Sequence, residues 1–120
     1  MTIDWPRIER GLRALLPGRA VVAARQELLA YDSDGLTLHR HQPSMVVLPE
    51  ATEQVAAVLR FCHEQGVPVV ARGSGTGLSG GAVAETEAVV IATSRMRSIL
   101  SIDLPNRRVT VQPGVINSWV

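Results

Sequence analysis

"VPVVARGSGTGLSGGAVAETEAVVIAT", residues 67–93, places two short apolar runs on either side of a loop dominated by glycine. Five of the nine residues from 73 to 81 are glycine, joined by two serines and a threonine, with Arg72 at the entrance. Ordering a glycine costs chain entropy, so a cluster like this serves φ > 0 or the close approach of another group. The flanking runs "VPVVA" and "AVVIAT" show no polar alternation. They read as fully apolar strands of a parallel sheet.

Upstream, "EATEQVAAVLRFCHEQG" carries Val55, Val58, Leu59 and Cys62 at i, i+3, i+4 and i+7, which predicts a helix with one apolar face. Thr52 is the expected N-cap, Glu53 suits the helix dipole, and Gly66 followed by Pro68 ends the run. "SMVVLP" before it is another short buried strand. Strand, helix and strand then form a βαβ unit. Nearer the start, "WPRIERGLRALL" spaces Ile8, Leu12, Leu15 and Leu16 on one face of a short surface helix capped by Asp4, and "PG" at 17–18 stops it. Downstream, "ILSID" and "RRVTVQP" flank a turn at Pro105 and Asn106, which predicts an antiparallel strand pair.

Composition bounds the function. The chain has 120 residues, 46% hydrophobic and 19% charged, enough apolar content for one core. Lys+Arg 12 against Asp+Glu 11 gives a formal charge of +1 and no basic footprint, and 3% aromatics supply no stacking platform, so no nucleic-acid partner is expected. No apolar run reaches the ~18 residues of a transmembrane segment. The first residues lack a secretory h-region, and the single cysteine, Cys62, fits a reducing compartment. A cytoplasmic location is the expectation.

Three ligand readings compete for the loop. A Walker A loop needs a lysine that meets the terminal phosphates, and none is present. Gly75, Gly77 and Gly80 satisfy the dinucleotide pattern G-x-G-x-x-G, but only "GAVAETE" separates them from the next strand. That is too short for a crossover helix, and Thr93 and Ser94 end the strand where a ribose-binding acid is required. The third reading makes the loop itself the binding element. Successive peptide N–H groups form a concavity for an anion, with hydroxyls of Ser74, Thr76 and Ser79 beside them. Hydrogen bonds to a charged group contribute about 1.5–3 kcal/mol each, so four or five would hold a pyrophosphate without lysine. An ordinary surface loop with no ligand remains open beside these.

The same residues carry a resemblance. "PVVARGSGTGLSGGAV" closely resembles the pyrophosphate loop of FAD-linked oxidases of the vanillyl-alcohol oxidase / p-cresol methylhydroxylase (PCMH) type, nearest the branch that holds the flavin chain of glycolate oxidase and the FAD-linked D-lactate dehydrogenases. "YDSDGL", "QPSMVVLPEATEQVAAVLRFCHEQGVPVV", "SRMRSILSID" and "RRVTVQPGV" resemble further segments in the same order. The resemblance spans about residues 28–120.

It implies an α/β fold, the first lobe of a PCMH-type FAD-binding domain. A small parallel sheet would carry packed helices and a C-terminal strand pair. Residues 1–40 would be a helical and irregular lead-in, and 41–120 the first part of the domain. The cofactor-binding residues carried over are Arg72, Gly73, Ser74, Gly75, Thr76, Gly77, Leu78, Ser79, Gly80 and Gly81, with Gly114 passing the cofactor in a second turn. Some members attach flavin covalently through a loop histidine. The matching position is Thr76, so non-covalent FAD is implied.

The implied reaction is oxidation of a 2-hydroxy acid, glycolate or D-lactate, by hydride transfer to FAD. The resemblance also allows for partner subunits of an oxidase complex, which would hold the protein at the inner membrane. No catalytic residue is found. Family members are several times longer, and "NSWV" at 117–120 starts a helix with no room to run, so the chain is expected to be cut inside its fold. Alone it would bind FAD weakly and expose the surface meant for a second lobe. The alternative function is a truncated, inactive nucleotide-binding remnant.

Other residues carry less. Cys62 on an apolar helix face reads as structural. His39 and His41 lack further ligands and read as a solvated loop, so no metal is expected. His63 reads as an exposed residue at a helix end. "DSDG" at 32–35 lacks the closing acid of a calcium loop and reads as a turn. "SRMRS" at 94–98 reads as a solvated turn.

Overall fold

The computed structural model describes residues 3–28, 44–73 and 87–115. The elements in chain order are α1 (Trp5–Leu15), a short 3₁₀ turn (Gly18–Ala20), β1 (Val21–Val22), α2 (Arg25–Leu28), β2 (Met45–Val47), α3 (Thr52–Gln65), β3 (Val69–Arg72), β4 (Val89–Ala92), β5 (Ile99–Asp103) and β6 (Arg108–Val111).

Four strands form one sheet in the order β1-β2-β4-β3. β2, β4 and β3 run parallel, and β1 joins the β2 edge antiparallel, with Val21 opposite Val47. The apolar run at 88–92 explains why β4 is central. Ala88, Val89, Val90, Ile91 and Ala92 are all buried, and only an interior strand covered on both faces accepts such a sequence.

The alternation along the strands sorts side chains into two cores. Val21, Met45, Val47, Val89 and Ile91 face α1 and α3, where Ile8, Leu12, Leu16, Val58 and Cys62 meet them. Val22, Val46, Leu48, Val90 and Ala92 face the other way and are covered by Leu28 of α2. The lead-in helix therefore packs into the same core as the βαβ unit. Gly11 lets α1 approach α3 closely, because a Cβ at this position would fall on the ring of Phe61.

The helix ends follow local chemistry. Asp4 caps α1, its Oδ1 accepting from the Arg7 N–H at 3.3 Å. Thr52 is not the cap of α3. Ala51 holds that position with no side-chain bond, and Thr52 is the first helical residue. The reason is Gln54, whose Oε1 reaches back to accept the Glu50 N–H at 2.7 Å and sets the start one residue earlier. Gly66, at φ 68°, closes the helix in the left-handed region, and the Val67 N–H bonds to the Cys62 carbonyl at 2.9 Å. The apolar stripe of α3 is narrower than its spacing suggests. Val58 and Cys62 are buried, Val55 is half-buried, and Leu59 is exposed. Likewise Leu15 of α1 is exposed while Leu16 is buried.

β5 and β6 form a separate antiparallel pair. Asn106 donates from its backbone and its side chain to the Asp103 carboxylate, and Arg107 takes the left-handed conformation at φ 53°. The register is Ile99↔Val111, Ser101↔Thr110 and Ile102↔Val109, with an irregularity between Ile99 and Ser101. The extra residue at Leu100 puts Ile99 on the same face as Ile102, Val109 and Val111, and leaves Ser101 and Thr110 on the other. All four apolar residues are exposed, Ile102 at 61%.

Candidate functional site

The glycine loop leaves β3 at Arg72, at the carboxyl end of the parallel strands, where open α/β sheets bind ligands. Arg72 is half-buried and Gly73 exposed. Ser74, Gly75, Thr76, Gly77, Leu78, Ser79, Gly80 and Gly81 lie outside the described residues, as do His39, His41 and the "DSDG" segment.

The entrance to the loop is held from β4. The Arg72 carbonyl accepts from the Thr93 N–H at 2.9 Å and from its Oγ1 at 3.4 Å. In a planar trans peptide the N–H points opposite the C=O. Fixing the carbonyl toward β4 therefore turns the Gly73 N–H to the opposite side, away from β4. A Cβ built at Gly73 meets nothing within 4 Å, so the first loop residue stands in open space. Bare backbone with its N–H free of the ladder, followed by a run rich in glycine, serine and threonine, fits a diphosphate group.

Gly114 comes to the same edge. Its N–H donates to the Met96 carbonyl at 2.7 Å. A Cβ there would stand 2.5 Å from the Thr93 oxygen, 2.7 Å from that of Met96 and 3.1 Å from that of Ser94. The close approach that demands glycine is thus to the turn after β4, the same turn whose first residue holds Arg72. Sequence reasoning missed Thr93 as a positioning group, although a hydroxyl ending an apolar strand was its signal.

A cleft of about 570 Å³ opens at the same end of the sheet, lined among others by Arg19, Leu48, Glu50, Gln54 and Arg95. The 94–98 segment is not a simple solvated turn. Arg95 is half-buried and its Nη1 donates to the Arg19 carbonyl at 3.2 Å, while Met96 is buried. A buried methionine anchors the turn, so the arginine beside it lies across the cleft. Gln112 ties the strand pair to this edge, its Nε2 donating to the Glu50 carbonyl at 3.2 Å.

Cys62 is fully buried, and burial pushes its thiol up to about 11, so it stays protonated and inert at neutral pH. His63 is exposed. Among the described residues no group of three His, Cys, Asp or Glu side chains could hold a metal ion, and no helix is long and apolar enough to cross a membrane.

The family model described as "FAD binding domain" matches residues 43–119. Glycolate oxidase subunit GlcD of Escherichia coli (strain K12) is 44% identical over 115 residues, covering 96% of this chain and 23% of that protein. D-lactate dehydrogenase of Archaeoglobus fulgidus is 45% identical over 71 residues, covering 59% of this chain and 16% of that protein. Among solved structures, p-cresol methylhydroxylase with substrate bound superposes with a TM-score of 0.81 at 26% identity, covering 92% of this chain and 22% of the other. Alkyldihydroxyacetonephosphate synthase superposes with a TM-score of 0.83 at 19% identity, covering 98% and 25%, a likeness of fold. The chain spans less than a quarter of the length of these curated relatives.

Proposed function

The chain belongs to the FAD binding domain family, and on that premise we propose that it is the cofactor-holding part of an FAD-dependent dehydrogenase or oxidase of small 2-hydroxy acids. FAD is the cofactor this family takes. The observation that carries the substrate class is the likeness to three relatives whose names share one chemistry: D-lactate dehydrogenase, D-2-hydroxyglutarate dehydrogenase and the GlcD chain of glycolate oxidase. Glycolate, lactate and 2-hydroxyglutarate all present a hydroxyl on the carbon next to a carboxylate.

In this reading the amides from Arg72 to Gly81 bind the diphosphate, with Thr93 fixing the first of them and Gly114 lying across the turn behind. Thr76 occupies the position that a flavin-linking histidine takes in some relatives, and its hydroxyl forms no such bond, so FAD is held non-covalently. When bound, FAD would supply the two-electron acceptor for oxidation of the hydroxyl-bearing carbon to a 2-oxo acid. No catalytic base is assigned to this chain. Residues 41–120 are the first part of the FAD-binding domain, and residues 1–40 are its lead-in, with α1 as a buttress. The word "subunit" in the GlcD name supports partner subunits of an oxidase complex. We place the protein in the cytoplasm, reaching the inner membrane only through such partners.

The test is the visible spectrum of the protein purified from its complete reading frame. Flavin bands released by acid or heat, and bleached anaerobically by glycolate or D-lactate, are expected. A protein that holds no flavin and takes none up on reconstitution refutes the FAD reading. Flavin that neither 2-hydroxy acid bleaches refutes the substrate.

A further inference from the structure

The β5–β6 pair contributes no residue to either core of the four-stranded sheet. Among the described residues, buried Met96 anchors the turn that leads into the pair, and directional polar bonds fix the pair itself against the sheet. The most connected of these centre on one side chain. We propose that Gln112 is a positioning residue for the cofactor site, joining the strand pair to the carboxyl edge of the parallel sheet. This rests on the FAD reading above.

Gln112 follows β6 directly and is half-buried. Its backbone N–H donates to the Ser98 carbonyl at 2.9 Å, and its Oε1 accepts the Ser98 N–H at 2.9 Å, so the side chain is locked onto the start of β5. Its Nε2 then donates to the Glu50 carbonyl at 3.2 Å, across 62 residues of sequence. Glu50 is gripped from the other side as well, its N–H donating to Gln54 Oε1 at 2.7 Å. Two glutamine amides thus hold both backbone groups of one residue, between the end of β2 and the start of α3. Only one orientation of the Gln112 amide satisfies both partners, because Ser98 offers a donor and Glu50 an acceptor.

The consequence reaches the loop through a short chain of contacts. Gly114 lies two residues beyond Gln112, and its N–H bonds to Met96. The turn from Thr93 to Met96 presses on Gly114 and holds the Arg72 carbonyl where the glycine loop begins. Gln112 therefore sets where the Gly114 turn meets the base of that loop.

The test uses the protein from its complete reading frame carrying Gln112→Glu or Gln112→Met. Glutamate keeps the acceptor for Ser98 but loses the donor and sets a carboxylate against the Glu50 carbonyl. Methionine keeps the length and loses both bonds. Apoprotein is titrated with FAD by flavin fluorescence quenching, well below its melting temperature, and the bound flavin is examined by visible circular dichroism. Gly11→Ala, which disturbs only the α1–α3 contact, serves as a control for lowered stability. We expect FAD affinity to fall roughly tenfold in both Gln112 variants, with a changed dichroism band, and to stay at the wild-type value in the control. Gln112 variants that melt early like the control yet bind FAD with unchanged affinity and spectrum overturn the inference and leave the FAD reading intact. Wild-type protein that binds no FAD overturns both.

Discussion

Replacing Gly114 by alanine separates a glycine needed by the fold from one needed by the ligand. The new Cβ would lie 2.5 Å and 2.7 Å from the carbonyl oxygens of Thr93 and Met96, and 3.1 Å from that of Ser94. All three are backbone atoms, so no side chain can swing aside. The described glycine with positive φ is Gly66, so the cost at Gly114 is steric and not conformational. Overpacking of this kind costs about 1–3 kcal/mol. Displacing the Gly114 N–H from Met96, now at 2.7 Å, adds about 1 kcal/mol. We expect the flavin-free protein to lose about 2–4 kcal/mol in urea unfolding. If Gly114 serves only to let the cofactor pass, flavin uptake falls and the flavin-free stability does not move. A change below about 0.5 kcal/mol, the level of an ordinary surface substitution, refutes the reasoning.

Three further outcomes are expected. The Cys62 thiol is raised from 9.0 to about 11 in the fold, so the stability tied to its neutral form is complete below pH 9 and drains away as pH climbs through 11. Chemical denaturation across that window should show a loss of roughly 2–3 kcal/mol that Cys62→Ala lacks. Gly11→Ala gains about 1 kcal/mol of helix propensity but drives its methyl into the Phe61 ring. A lower melting temperature, restored when Phe61→Leu is added, checks that contact. Arg107→Gly relieves a left-handed non-glycine at φ 53° and should raise stability by about 0.5–1 kcal/mol, read from the melting of the variant.

The strands and helices that carry periodic or unbroken apolar patterns were legible in the sequence. The run at 88–92 announces a strand covered on both faces, and Gly66 with Pro68 announces the end of α3. β1 and α2 were not legible, because two and four residues are too few for any period to show. The choice of Ala51 over Thr52 as the cap goes with Gln54 folding back on Glu50 four residues earlier, a local contact that the capping preference of Thr52 alone does not contain. At the site, the glycine cluster was visible as chemistry. Its support was not, since Thr93 holding Arg72 and Gln112 reaching Glu50 join residues 21 and 62 positions apart. Nothing local marks such pairs until the strand order is known.

That strand order has a consequence for how the molecule is made. β2 and β3 are consecutive strands of the βαβ unit, yet they never touch, because β4 lies between them. A nascent chain that has emerged only as far as β3 can pair β1 with β2, but it has no ladder to join β2 to β3. The sheet closes only once the segment beyond the glycine loop arrives, so long-range pairing limits its assembly. The β3–β4 connection, which carries the glycine cluster, is the last to be drawn tight before the parallel strands are joined. During synthesis, the interval between β3 and β4 is when this protein most needs shielding from its neighbours.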